Sequence, residues 1–306
     1  MTDQLSQFKA GYIGLVGRPN VGKSTLLNAL MDQKIAAVSP RAQTTRRRQL
    51  GILSSDDYQM VIMDTPGIHH PHHKLGEYMN EVALATLSDV DLLIWVVDAS
   101  LAPDDEDRLA AAKMASISRL PPVILLLNKM DLVSDSARPA RQDQYHALLP
   151  FSTPLWVSAN SDRCRQIIID AVLPHLPSAS PFYDSDQVTD LYERDIAADL
   201  IRESALIYLR DEIPHSLAVR VDEFIERHEN GAHITATIIV ERDSHKGIVI
   251  GKGGDMIKNI GVNARHEIEK MSGRKVFLEL RVKVNKNWRN NPESLRQLGY
   301  VSENDQ

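Results

Sequence analysis

The segment Gly17-Arg18-Pro19-Asn20-Val21-Gly22-Lys23-Ser24 constrains the fold of this chain more than any other stretch. It follows the apolar run 12–16 and opens a helical pattern over 23–32, so it reads as strand, turn and helix of the G-x-x-x-x-G-K-S kind. In that context the glycines let backbone amides wrap a diphosphate, and the dipole of the following helix favours the negative charge. Lys23 is placed to reach the β- and γ-phosphates, with Ser24 on magnesium and Thr25 next along the helix.

The rest of the first half fits around this unit. Apolar runs at 59–63, 92–97, 123–127 and 155–157 alternate with helical spacing at 75–88, 106–119, 137–148 and 162–173. The runs are apolar on both faces, which predicts an α/β domain with a mostly parallel sheet covered by helices on both sides, plus an edge strand at 49–53. Pro174, Pro177 and Pro181, interspersed with serines, break any helix and suggest a first domain over 1–176 and a linker over 177–190. Beyond it, a helix over 195–210, alternating strands at 217–226 and 233–241, a glycine-rich helical stretch and a strand at 276–284 predict an α+β domain over 191–306. That domain is expected to hold an antiparallel sheet and to end in a frayed tail, 302–306.

A phosphate loop alone does not choose the base. Asn128-Lys129-Met130-Asp131 follows an apolar run and so sits at a strand's carboxyl end, beside the ligand crevice. The Asp131 carboxylate can accept from the two adjacent N–H donors of guanine, a pair that adenine lacks, while Lys129 lies along the base plane. Ser158-Ala159, after the next strand, can offer a backbone amide to the guanine carbonyl. Asp64, in Asp64-Thr65-Pro66-Gly67, ends a strand and is expected to reach magnesium through water, and the Gly67 amide to reach the γ-phosphate. In Gln43-Thr44-Thr45-Arg46 a hydroxyl is available to the metal, Thr45 preferred over Thr44. The candidate catalytic set is Lys23, Thr45, Gly67 and Asn20, with GTP and GDP as substrate and product. The histidines after Ile68 (His69, His70, His72 and His73) read as a nucleotide-dependent loop rather than a metal site.

The net charge of -6 argues against a chain that coats nucleic acid over its whole surface. Between residues 244 and 291, however, eleven Lys and Arg face four acids, so a polyanion should meet this end. The loop Gly251-Lys252-Gly253-Gly254 lies there between apolar helical segments carrying Ile248 and Ile250, with Lys258 beyond it. A G-x-x-G turn of this kind lets a nucleic-acid backbone approach, with lysines near phosphates and the isoleucines behind bases. No run of eighteen apolar residues occurs, and the lone Cys164 has no partner for a disulfide or thiolate metal site, which points to the cytoplasm.

The nucleotide motifs, in this order over residues 8–175, resemble the translation-factor-related class of small GTPases. One departure matters. Ile68 stands where Ras-like proteins carry the glutamine that orients water, so hydrolysis should be slow or borrow a group from elsewhere. In relatives with G-x-P-N-x-G-K-S loops the asparagine helps hold a potassium ion, which assigns that part to Asn20. The second half resembles a type II KH domain. Together with 42–46, 75–80 and 278–288, the motifs make the whole chain similar to the Era family of bacterial ribosome-assembly GTPases. The resemblance implies a monomer that binds the 3′ region of small-subunit ribosomal RNA, assists maturation of the small ribosomal subunit, and associates peripherally with the inner membrane. A passive ribosomal RNA-binding component, or a GTPase assisting RNA modification, is the rival reading.

Overall fold

The computed structural model describes residues 8–39, 44–150, 152–227 and 231–300; Gln43 and the tail 302–306 lie outside them. By internal contacts these residues form two compact units: one of 8–35, 45–71 and 79–190, the other of 36–39, Thr44, 72–78 and 191–300.

The first unit is built in the order β1 (Lys9–Val16), α1 (Lys23–Met31), β2 (Gln49–Ser54), β3 (Tyr58–Asp64), α2 (Lys74–Ala85), β4 (Leu92–Asp98), α3 (Asp105–Ala115), β5 (Val123–Asn128), α4 (Arg138–His146), β6 (Thr153–Trp156) and α5 (Cys164–Val172), α2 beginning among residues of the second unit. Its six-stranded sheet runs β2-β3-β1-β4-β5-β6, parallel throughout except where β2 meets β3 antiparallel across a short turn. This is the mostly parallel sheet that the alternation predicts: every residue of β4 and β5 is buried, as strands with helices on both faces must be. Strand order reverses at β1, whose neighbours are β3 and β4, so the crevice for a ligand opens at the carboxyl end of β1.

Residues 177–190, read from sequence as a linker, run along this first unit. Ala10 N–H donates to the Pro177 carbonyl (3.2 Å), Phe182 stacks on Tyr12 (5.0 Å), and the Gln59 side-chain oxygen accepts from the Phe182 and Tyr183 amides (2.7 and 3.0 Å). Edge strand β2 gains partners in the same way: Ile52 N–H donates to Val188 O and Leu50 N–H to the Asp190 carboxylate. Unpaired edge groups are satisfied without another strand.

The second unit adds α6 (Glu193–Tyr208), α7 (Ile213–Ser216), β7 (Ala218–Arg227), β8 (Gly231–Val240), α8 (Asp243–Ile250), α9 (Asp255–Ser272), β9 (Lys275–Val284) and α10 (Pro292–Gln297). Its sheet is mixed, not antiparallel as the alternating strands suggest: β7 and β8 pair antiparallel, β8 and β9 parallel. The reason is topological. Two helices intervene between β8 and β9, and such a crossover returns the chain to start the next strand in the same direction. One face of the sheet packs Val219, Ile234, Ala236, Ile238, Val276 and Val282 into a core with Leu200, Ile260, Ala264 and Ile268 of α6 and α9.

Candidate functional site

Two glycines shape the phosphate loop. A Cβ on Gly17 would stand 2.2 Å from the Val96 carbonyl oxygen, and one on Gly22, at φ 103°, 2.3 Å from Asn128 Nδ2. Only glycine permits both approaches. Gly22 caps α1 without a side chain, so the first-turn amides of the helix face the loop. Val21 is fully buried under it and Pro19 lies half-buried, against Gly67.

Lys23 is 6% exposed and donates to the Gly17 and Arg18 carbonyls (3.1 and 2.9 Å). Burial disfavours its ammonium and lowers its pKa to about 8, against the opposing pull of Asp64. Ser24, Thr45 and Asp64 meet in one cluster. The two hydroxyls are 2.7 Å apart, and both donate to Asp64 Oδ2, from Ser24 at 2.6 Å and from Thr45 at 3.1 Å. Asp64 is fully buried and its pKa is raised by desolvation, which outweighs Lys23 and the two hydroxyls. Its Oδ1 is buried with no hydrogen-bond partner among the described residues. Two hydroxyls and a carboxylate with an uncommitted oxygen form a hard all-oxygen donor set, which fits magnesium. The Thr44 carbonyl accepts from Arg202, both residues belonging to the second unit.

The turn after Asp64 closes over the loop: a Cβ at Gly67 would meet Pro19 N at 2.4 Å. Thr65 spends its hydroxyl on the Leu15 carbonyl (2.8 Å), and Pro66 is buried beside it. The Ile68 side chain is 1% exposed and joins the hydrophobic core with Val16, Leu50 and Met63, while its amide donates to Gly17 O (3.1 Å). The side chain of residue 68 is therefore committed to the core. His69 is buried, with Nδ1 2.8 Å from the Gly67 carbonyl, and its backbone is clamped at both N–H and C=O by the Asn80 amide (3.2 and 2.7 Å).

Around the base, the predicted residues divide their work. Asn128 Nδ2 donates to Val21 O (2.8 Å) and its Oδ1 accepts the Ala159 amide (3.0 Å). Asn128 thus fastens the phosphate loop to the 158–159 turn, and the Ala159 amide expected at a guanine carbonyl is held by Asn128. Ser158 is buried next to it. Met130 N–H is tied to Val157 O (3.0 Å). Lys129, at φ 61°, bridges Asn20 O (3.2 Å) and the Asp98 carboxylate (2.5 Å). Asp98 is partly buried, but Lys129 and Ser100 hold its pKa below the usual range. Asp131 is exposed and available to a base. Asn20 is exposed too, at φ 64°, a conformation asparagine tolerates.

The sequence reading missed Arg18's anchor. Its guanidinium bonds Asp107 (3.1 Å) and reaches Asp104 (3.2 Å), which also form the capping box of α3. Burial pulls the Arg18 pKa down, but the two carboxylates prevail and raise it. The D-x-x-D pattern at 104–107 marks the helix start; nothing local reveals its partner 89 residues earlier.

In the second unit, α8 and α9 are joined by Gly251, Lys252, Gly253 and Gly254, with φ of 76°, 62° and 86° at the three glycines. A Cβ at Gly251 would strike Met256 at 2.6 Å, whereas at Gly253 and Gly254 nothing lies within 4 Å. The turn presents its backbone at the N-terminus of the long helix α9, with Lys252 and Lys258 exposed, Ile248 49% exposed, and Ile250 packed partly against the core. Cys164 is buried on α5 of the first unit, its thiol pushed up to about 11 by that burial.

A family model described as a 50S ribosome-binding GTPase matches residues 12–129, and one described as a KH domain matches residues 212–289. GTPase Era of Ruminiclostridium cellulolyticum is 44% identical over 293 residues, covering 96% of this chain and 98% of that protein. The chain belongs to the Era family of GTPases. GTPase Era of Staphylococcus haemolyticus is 41% identical, with 98% of this chain and 100% of that protein covered. A solved structure of Era in complex with MgGDPNP and nucleotides 1506–1542 of 16S ribosomal RNA has a TM-score of 0.91 at 36% identity, covering 96% of this chain and 100% of that one. An Aquifex aeolicus Era variant bound to GDP.AlF4- gives the same figures.

Proposed function

We propose that this Era-family chain is a GTP-hydrolysing switch that binds the 3′ region of small-subunit ribosomal RNA through its KH unit and assists maturation of the small subunit. The observation that carries the reading is the meeting of Ser24, Thr45 and Asp64 beside a buried lysine, on the same chain as an open G-x-x-G turn. The Era structure holding both MgGDPNP and a 16S RNA segment supports joining the two activities.

The chain's own groups define the chemistry. Lys23 exchanges two backbone carbonyls for phosphate oxygens, and the amides of 17–24 hold the phosphate chain. Ser24, Thr45 and Asp64 hold magnesium, which neutralises developing phosphate charge when bound. Asp131 reads the base on the frame that Asn128 fastens. Because Ile68 is committed to the core, no side chain at that position orients water, and intrinsic turnover is slow. Asn20, exposed at the lip of the loop, is the residue to hold a potassium ion there. Hydrolysis should run faster in potassium than in sodium, and Asn20→Ala should erase the difference; equal rates in the two salts refute this part.

Coupling to RNA has a structural path. Thr44, next to metal ligand Thr45, is bound by Arg202. His73 and Lys74, just past the Gly67 turn, are bound by Arg289 (2.7 Å) and Asn290 (3.3 Å). Segments that GTP reorders are thus continued by residues belonging to the KH unit. RNA affinity measured with GDP and with a non-hydrolysable GTP analogue tests this: a difference is expected, and equal affinities refute the coupling. No helix among the described residues is long and apolar enough to cross a membrane. The family resemblance supports a peripheral association with the inner membrane and a monomer otherwise in the cytoplasm. Vesicle flotation and gel filtration check both.

A further inference from the structure

The KH sheet has a second face, polar along its inner rows and apolar towards one end. Core residues occupy one side of β7, β8 and β9. On the other, register places Ile225, His233 and Phe277 in a row across the three strands. His233 and Phe277 stack at 5.0 Å with planes 11° apart, Phe277 is 63% exposed and Ile225 48%. The next row outward is Arg227, Gly231 and Lys275. Gly231 leaves a notch between the two cations: a Cβ there would meet nothing closer than 3.8 Å. A cleft of about 440 Å³ opens at this strand end, lined by Arg227, His233, Arg265, Lys275, Phe277 and Glu269 among others. That volume falls in the range of roughly 300–1,000 Å³ typical of small-ligand clefts. Glu269, the one acid among the described lining residues, is partly committed to the Val276 amide (3.0 Å).

We infer that this open sheet face is a second contact surface for single-stranded RNA, with bases stacking on the His233–Phe277 pair and phosphates held by Arg227, Lys275 and Arg265. The exposed rings have cations on their outer side, and the row on their inner side carries Glu223 and Glu279, the latter paired with Arg281. Bases can stack on the rings while the polyanionic backbone lies over the outer, basic row. A protein segment rich in acids would use the cations but not the stacked rings. α9 packs on the core side of the sheet, but its Arg265 lines the same cleft at the strand end and lies eleven residues after Gly254, roughly 16 Å along the helix at 1.5 Å per residue. A few nucleotides span that distance. The inference rests on the RNA-binding reading above and lengthens the strand that the unit holds.

The test uses the full chain with two RNA probes, a tetranucleotide and a single strand of about a dozen nucleotides containing it, the former matching the four nucleotides that a G-x-x-G turn clamps. Phe277→Leu keeps an apolar side chain and removes the ring. It should weaken the longer strand roughly 5- to 30-fold, as loss of one stacked base does, and change the tetranucleotide less than about twofold. Arg227→Glu with Lys275→Glu should do the same and flatten the salt dependence of the longer strand. Lys252→Glu should weaken both probes; if it affects neither, the G-x-x-G reading fails, while Phe277→Leu still reports on the open face by itself. Unchanged affinity for the longer strand in both open-face variants overturns the inference. So does loss of binding to ribosomal particles with naked RNA unaffected, which assigns the face to a protein. GTP hydrolysis without RNA, which uses none of these residues, should stay at the parent rate and certify folding.

Discussion

Two glycine-rich turns in this chain lead into helix N-termini, and they are built in opposite ways. At 17–24 both glycines are packed against neighbours, with the Val96 carbonyl against Gly17 and the Asn128 amide against Gly22, and Lys23 is buried. At 251–254 a side chain at Gly253 or Gly254 would point into open space, and Lys252 is exposed. The first turn takes its shape from its neighbours, the second from its own backbone angles. A packed turn fixes a small ligand and its metal to within tenths of an ångström, as phosphoryl transfer needs. An open one lets a polymer arrive from solvent and slide along it.

Adding a methyl group to each turn is the sharpest test of that contrast. Gly22→Ala combines a clash with Asn128 and a left-handed φ, together about 3–4 kcal/mol, so GDP affinity should fall by roughly two to three orders of magnitude. Gly253→Ala meets only the φ of 62°, about 1–2 kcal/mol, and should cost RNA binding roughly tenfold while leaving GDP affinity alone. Fluorescent-nucleotide titration and RNA anisotropy read both. Equal losses would show that the second turn is as tightly built as the first.

Specificity comes next in size. Asp131 is exposed, whereas Asn128 is spent on the frame, so base choice should follow the carboxylate almost alone. Asp131→Asn should lower GDP affinity roughly 10²- to 10³-fold, the worth of charged hydrogen bonds to two donors, and raise affinity for xanthosine diphosphate. Loss of both nucleotides alike would mean that the substitution had disturbed the frame.

The alternation of two-sided apolar runs with helical spacing was enough to read the parallel sheet, because strands buried on both faces leave that pattern. Direction in the second sheet was not readable: β9 looks the same from sequence whichever way it pairs, and only the helical crossover decides. The prolines after 173 marked where helix ends but not where the chain goes, since Phe182 on Tyr12 and Gln59 on Tyr183 are contacts between distant residues. In the nucleotide site, residue types and order singled out Ser24, Thr45 and Asp64, and the fold brings their side chains within hydrogen-bond reach of one another. The bond between Asn128 and Ala159, and that between Arg18 and Asp107, depend on which of several nearby partners the fold places closest, and no local spacing encodes that.

The open turn predicts a gentler response to charge. Lys252→Glu should weaken RNA binding about tenfold near physiological salt, and less as salt rises, because the contact is made with phosphates through water-screened charge. GTP turnover without RNA should not change. A loss of RNA binding independent of salt would place Lys252 against a base rather than the backbone.

The packed turn carries a titration of its own. Burial lowers the Lys23 pKa from 10.5 to about 8, so the folded nucleotide-free protein releases this proton before the unfolded chain does. Between those two values the unfolded state binds more protons, and stability therefore rises with pH across that window. Below pH ~8 both states are protonated and the full cost of the buried ammonium is present. Lys23→Met removes the titration, so its melting temperature should exceed that of the parent by the largest margin below pH ~8 and lose the margin towards pH ~10. Nucleotide binding runs the other way: it requires the ammonium, so GDP affinity of the parent should decline above pH ~8, by no more than tenfold per unit, with uptake of one proton on binding. Calorimetry in two buffers of different ionisation enthalpy measures that uptake. A GDP affinity flat to pH ~10 would show Lys23 still charged in the empty loop, and would leave its two backbone carbonyls as a stronger cradle than burial allows.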